Sequence, residues 1–171
     1  GEIAGNNIDD DNNGLVDDIH GYSFVDDSGT INPNHHGTHV AGTIAAVNNH
    51  AEGVAGVAGG SGAGDGVRLM SCAVFSSAGS SGGFPDAYVY AADNGAVISQ
   101  NSWGYTRPGL YEESVLEAID YFIAEAGKDE HGNQTGPMSG GIVIFGAGNS
   151  GSEEDYYPGF YAPVLAVAAS T

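Results

Sequence analysis

Apolar positions along this chain recur with two different periods, and the alternation between them predicts the architecture. From Asn34 to Val47 the chain opens on polar residues and becomes a run in which Val40, Thr43, Ile44 and Val47 fall at helical spacing. Ala41, Gly42, Ala45 and Ala46 keep that helix thin enough to lie close to a sheet. A glycine inside a helix costs about 1 kcal/mol relative to alanine, so a close contact at Gly42 is expected to offset it. Tyr111 to Ala126 is the clearest amphipathic stretch: Val115, Ile119, Phe122 and Ala126 share one face, glutamates take the other, and Gly127 supplies the stop. A third helix is bounded by Pro85, suited to a first turn, and by Asn94-Gly95. Between these lie short apolar runs that predict strands: Gly21 to Val25, Val67 to Phe75, Ala96 to Gln100, Ile142 to Phe145 and Val164 to Ala168. Strands alternating with helices imply an α/β fold, a parallel sheet flanked by helices and joined by right-handed crossovers.

The connectors carry less chemistry than their composition suggests. Gly53 to Gly66 is glycine-rich but lacks the Lys and Thr of a phosphate loop, and reads as tight turns over the helix end. Lys128 to Gly140 is a polar loop longer than a connector needs. Ser76 to Gly83 contains Gly79-Ser80-Ser81-Gly82-Gly83, a Gly-x-Ser-x-Gly string between a strand and a helix. A loop this rich in Ser and Gly matches by composition alone. A hydrolase built on Ser81 also needs a histidine near the chain's end, whereas the last one is His131.

Composition narrows the partners. The 171 residues make one domain or part of one, long enough for a core. Against 22 acidic residues stand 3 Lys plus Arg, a formal charge of -19 that argues against nucleic acid and anionic membranes. With 41% hydrophobic residues in periodic blocks, the chain folds in spite of that charge. The acidity suits a Ca2+-rich or saline exterior. Cys72 is alone, which excludes an internal disulfide, and its apolar run from Leu69 to Phe75 reads it as a small buried hydrophobe. No leader or membrane-spanning stretch is visible, and Gly1 and Thr171 read as cut ends.

The first 20 residues are polar and acidic. Asp9, Asp11, Asn13, the Leu15 carbonyl and Asp17 fit the front half of a Ca2+ loop, with Gly14 at the turn. The twelfth position is His20 rather than a bidentate Glu, and a solvated acidic loop of turn formers fits the same residues.

The run His36-Gly37-Thr38-His39-Val40-Ala41-Gly42-Thr43 resembles the histidine motif of subtilisin-like serine peptidases, the subtilases. Asn101-Ser102-Trp103-Gly104 resembles the family's substrate-binding segment, and Gly146-Ala147-Gly148-Asn149-Ser150-Gly151 its oxyanion segment, in the same order. The resemblance spans about Tyr22 to Thr171. It implies a serine endopeptidase acting on polypeptides through a Ser-His-Asp mechanism, with His36 as base and Asn149 as oxyanion donor. It also implies that Ser102, Trp103 and Gly104 pair with substrate backbone and wall the primary specificity pocket, with Ala147 and Gly148 at its opposite edge. No cofactor is needed for catalysis; Ca2+ is a structural candidate, and the implied setting is secreted or cell-surface. His35 and His39 lack the glutamate and third-ligand pattern that would make them zinc ligands with His36.

Two parts of the pattern are missing. Gly-Thr-Ser-Met-Ala, the nucleophile motif, occurs nowhere. Asp27-Ser28-Gly29 imitates the aspartate motif, but only a few apolar residues precede it, and it lies 36 − 27 = 9 residues before His36, so Asp27 reads as a turn residue. The expected fold therefore lacks the Asp-bearing strand and the Ser-bearing helix, and the chain is expected to be inactive alone. In the family that strand lies between those resembling Val67 to Phe75 and Ala96 to Gln100. Without it, their bare edges would pair with each other or with a second copy. A pseudoenzyme or Ca2+-dependent binding module on the same scaffold is the alternative reading.

Overall fold

A computed structural model describes residues 2–169, so Gly1 and Thr171, read above as cut ends, lie outside the described residues. The chain forms two compact units, Gly1–Gly82 and Gly83–Thr171.

In the first unit, β1 (Gly21–Ser23) and β2 (Ser71–Ala73) pair in parallel, Tyr22 opposite Cys72. Gly21 has φ +116, and a side chain there would run into the Ser71 backbone, so only glycine serves. Ser23 exchanges backbone hydrogen bonds with Ser28 across the turn that follows β1, which is buried throughout. Asp27 sits in that turn with φ +51, as expected of a turn residue. The strand expected over Val67 to Phe75 is regular only at Ser71–Ala73. Ser81 forms an antiparallel bridge with Phe75, an arrangement unlike a nucleophile elbow. Cys72 is half-buried, and burial pushes its thiol up to about 12.

Helix α1 (His35–Ala45) starts where the sequence indicates. Its last-turn carbonyls have no partner inside the helix. They find one in the glycine-rich loop: Thr43, Ile44 and Ala46 accept from Val57, Ala58 and Gly56 at 2.9, 2.8 and 2.8 Å. Gly56 and Gly59 lie against the Ala45–Ala46 backbone with no room for a Cβ. The close approach expected at Gly42 is therefore made elsewhere; a Cβ there would meet Val54 Cγ2 at an ordinary 3.9 Å. No residue of α1 is buried, because the loop covers only its C-terminal end.

The second unit contains α2 (Phe84–Asp93), β3 (Ile98–Asn101), α3 (Glu113–Glu125), β4 (Ile142–Gly146) and β5 (Leu165–Val167). The three strands form a parallel sheet in the order β3-β4-β5. As the amphipathic pattern predicts, Val115, Ile119, Phe122 and Ala126 are fully buried, packed with α2 and β4 around Val143 and Phe145. The opposite sheet face is uncovered: Ile98, Ile142, Leu165 and Val167 are 59, 41, 55 and 53% exposed. Among the described residues β2 and β3, the strands expected to flank a gap, belong to separate sheets. The α/β class, with parallel sheets flanked by helices, is as the sequence indicates.

Candidate active site

Asn101 on β3 lies opposite Phe145 on the parallel β4, so the chain leaves both strands at the same sheet end. Parallel sheets bind ligands beyond the carboxyl ends of their strands. Six of the expected site residues gather there: Ser102, Trp103 and Gly104 follow β3, and Ala147, Gly148 and Asn149 follow β4. All are exposed except Trp103, which is half-buried. Ala147 N–H donates to the Val167 carbonyl at 2.9 Å and fastens the second segment to β5, and Gly148 then turns the chain with φ +90. Gln100 Nε2 donates to Ser102 Oγ at 2.8 Å.

Trp103 is oriented by aromatic neighbours. Its indole turns inward against Phe84, Phe145 and Tyr105, with centroid separations of 4.4, 5.4 and 5.9 Å. Residues outside the expected set also meet this sheet end. Tyr105 N–H donates to the Tyr157 carbonyl at 2.9 Å, and a Cβ on Gly159 would lie 3.2 Å from the Gly146 carbonyl oxygen. The segment around Tyr157-Pro158-Gly159 thus borders both site loops, whereas its sequence signals only a turn.

His36 belongs to the first unit, as the second residue of α1. Asn34 caps that helix, its Oδ1 accepting from the His36 backbone N–H at 2.9 Å. The imidazole is on the exposed side of the helix start, as are His35 and His39.

The acidic loop is tied together by its own carboxylates. Glu2 Oε1 accepts from Asp10 N–H at 2.7 Å, Asp9 Oδ2 from Gly14 N–H at 2.9 Å, and Asp11 Oδ1 from Asn13 N–H at 3.3 Å. Among the described residues the metal-capable grouping is Glu2, Asp9 and Asp11, one oxygen of each lying within 4.8 Å of the others. Three hard carboxylates at that spacing fit part of a Ca2+ shell. Glu2 was not anticipated. Asp17 is turned instead to the N–H groups of Asn6 and Asn7, both at 3.2 Å, and Asn13 Oδ1 accepts from Leu15 N–H at 2.9 Å.

The model of the subtilase family matches residues 3–171. The chain belongs to the subtilase family. This subtilase chain is 33% identical over 154 residues to the thermophilic serine proteinase of Bacillus sp. (strain AK1), covering 88% of itself and 33% of that protein. To thermitase of Thermoactinomyces vulgaris it is 31% identical over 155 residues, 89% of itself and 47% of thermitase. A stretch of 51 residues, 29% of the chain, is 58% identical to subtilisin-like protease 1 of Plasmodium falciparum and covers 7% of it. The chain thus spans less than half the length of these relatives. The family points to serine peptidase chemistry. Among the described residues no helix is long and apolar enough to cross a membrane.

Proposed function

We propose that this subtilase chain is the part of a serine endopeptidase that supplies the proton acceptor, the oxyanion donor and the substrate-binding edges. His36 takes the proton of the attacking hydroxyl and returns it to the leaving amine. Asn149 donates its side-chain N–H to the oxyanion. Ser102, Trp103 and Gly104 on one side, and Ala147 and Gly148 on the other, hold an extended polypeptide. The observation that carries this reading is the register of β4 on β3, which has the two segments leave neighbouring strands at one sheet end. The nucleophilic serine and orienting aspartate lie outside these 171 residues, so the chain alone does not cut. The substrate is polypeptide rather than nucleic acid or membrane, in keeping with the charge of -19, and the setting is extracellular. Asp9 and Asp11, joined by Glu2, would hold a structural Ca2+ that offsets the loop's crowded negative charge, with Asn13, Leu15 and Asp17 completing the loop.

The test uses both lengths of protein. The 171-residue chain, given a fluorogenic peptide, is expected to release no product. A cleavage rate from it that disappears in His36→Ala would overturn the assignment of the nucleophile to residues outside it. In the longer protein, His36→Ala is expected to abolish turnover and Asn149→Ala to lower kcat more than it raises KM. Unchanged turnover in His36→Ala would refute the peptidase reading and leave a binding module.

A further inference from the structure

The segment Ser102–Gly104 follows directly on a residue outside the expected site set. Asn101 ends β3 and is 8% exposed, one of few buried polar side chains among the described residues. An amide in that position costs free energy unless both ends are bonded. Its Oδ1 accepts from Tyr88 O–H on α2 at 2.8 Å and from Trp103 Nε1–H at 3.2 Å. Its Nδ2 donates to Ser99 Oγ at 2.9 Å and to the Ile144 carbonyl of β4 at 3.2 Å. One carboxamide therefore ties together a helix, two strands and the indole.

We propose that Asn101 is the positioning residue of the substrate-binding segment Ser102–Gly104. This rests on the peptidase reading above and adds what sets that segment's shape. Were its task only to close the β3–β4 ladder, the Nδ2 bonds would suffice. The Oδ1 bond to Trp103 reaches two residues past the strand. Residues two apart on an extended chain lie on the same side, so fixing the indole inward leaves Ser102 and Gly104 facing out, and both are exposed. Phe145, paired with Asn101 across the ladder, and Phe84 at the start of α2 hold the ring against which the carboxamide draws it. A satisfied buried polar group of this kind specifies one arrangement where apolar packing alone would tolerate several.

Trp103 is the sole tryptophan, so the ¹⁵N–¹H spectrum of the full chain contains a single indole resonance that reports on this bond. The probe is an acetylated, amidated Ala-Ala-Ala-Phe peptide. In the wild type its addition is expected to move that resonance. Asn101→Leu is expected to move the resonance in the free protein and to weaken the peptide by about three- to tenfold, the range a lost buried hydrogen bond carries. Tyr88→Phe removes one donor from the same carboxamide with little change in shape, and decides the matter if Asn101→Leu does not fold. It is expected to shift the resonance and weaken the peptide by a smaller factor. A merely structural role would lower the denaturation midpoint and leave peptide affinity unchanged. Equal affinity in the wild type and the folded variants overturns this inference alone. Absence of any wild-type response to peptide overturns it together with the substrate-binding reading.

Discussion

Single residues carry the chain's acid–base character, and three tyrosines show it most clearly. Tyr22, Tyr121 and Tyr161 each donate O–H to a carboxylate, of Asp27, Asp93 and Asp120, at 2.8, 2.7 and 2.7 Å. Burial first and Asp27 second push Tyr22 from 10.0 up to about 12; the hydrogen bonds to Asp93 and Asp120 do the same for Tyr121 and Tyr161. A tyrosine held neutral in the fold contributes its full stability below the unfolded value of 10.0 and loses it as pH rises through about 12. Tyrosinate absorbance is therefore expected to rise in two stages, the later one near 12, with Tyr161→Phe diminishing the later stage. Tyr121 and Tyr161 are exposed and half-exposed, so the effect of each of these two on the denaturation midpoint is small. The same scale shows what the sequence could and could not disclose. His36 and Asn149 stand in contiguous strings, and their places at a helix start and just past a strand are as the sequence indicates. The hydrogen bonds of Asn101 were not legible, because its partners Tyr88 and Ile144 lie far along the chain and only the folded sheet assembles them.

Elements were legible where one face is wholly buried. The face of α3 was read correctly from spacing alone, and both ends moved inward, to Glu113 and Glu125. The strand over Val67 to Phe75 was overextended because β2 has one partner strand, three residues long, and past it Phe75 meets only a single bridge, to Ser81. The helix at His36 was placed correctly but expected to be covered, since composition reports how closely a helix can pack, not whether a neighbour is there. Close packing is instead decisive between α3 and β4. A Cβ on Gly141 would fall 2.5 Å from Phe122 Cε1 and 2.7 Å from its carbonyl oxygen. Gly141→Ala is expected to destabilise the chain by about 1–3 kcal/mol in urea titration, the usual cost of overpacking. Gly82→Ala, with nothing within 4 Å, is the control and is expected to stay within about 0.5 kcal/mol of the wild type.

At the scale of the whole molecule, charge dominates. A net -19 on 171 residues repels itself, and salt screens that repulsion over about 10 Å at 0.1 M. The thermal midpoint is accordingly expected to climb as sodium chloride is raised, and a midpoint indifferent to salt would contradict this account. The uncovered sheet face carrying Ile98, Ile142, Leu165 and Val167 is, by contrast, a feature no charge count reveals. Parallel sheets ordinarily have both faces covered, and the apolar runs of β4 and β5 suit such burial without saying what supplies the cover.

The cap of α1 bears on the proposed role of His36. That helix is secured by hydrogen bonds at its far end, while the turn bearing His36 depends on the Asn34 carboxamide. Removing an N-cap of this type costs about 1 kcal/mol, enough to let the first turn fray several times more often. Asn34→Ala is thus expected to speed amide exchange at His36 and Gly37 while leaving α3 unaltered and, on the proposed role of His36 as base, to slow proton transfer in the longer protein without touching a reacting atom. The aim of the imidazole would then be governed by a neighbour two residues upstream, acting through the backbone it caps.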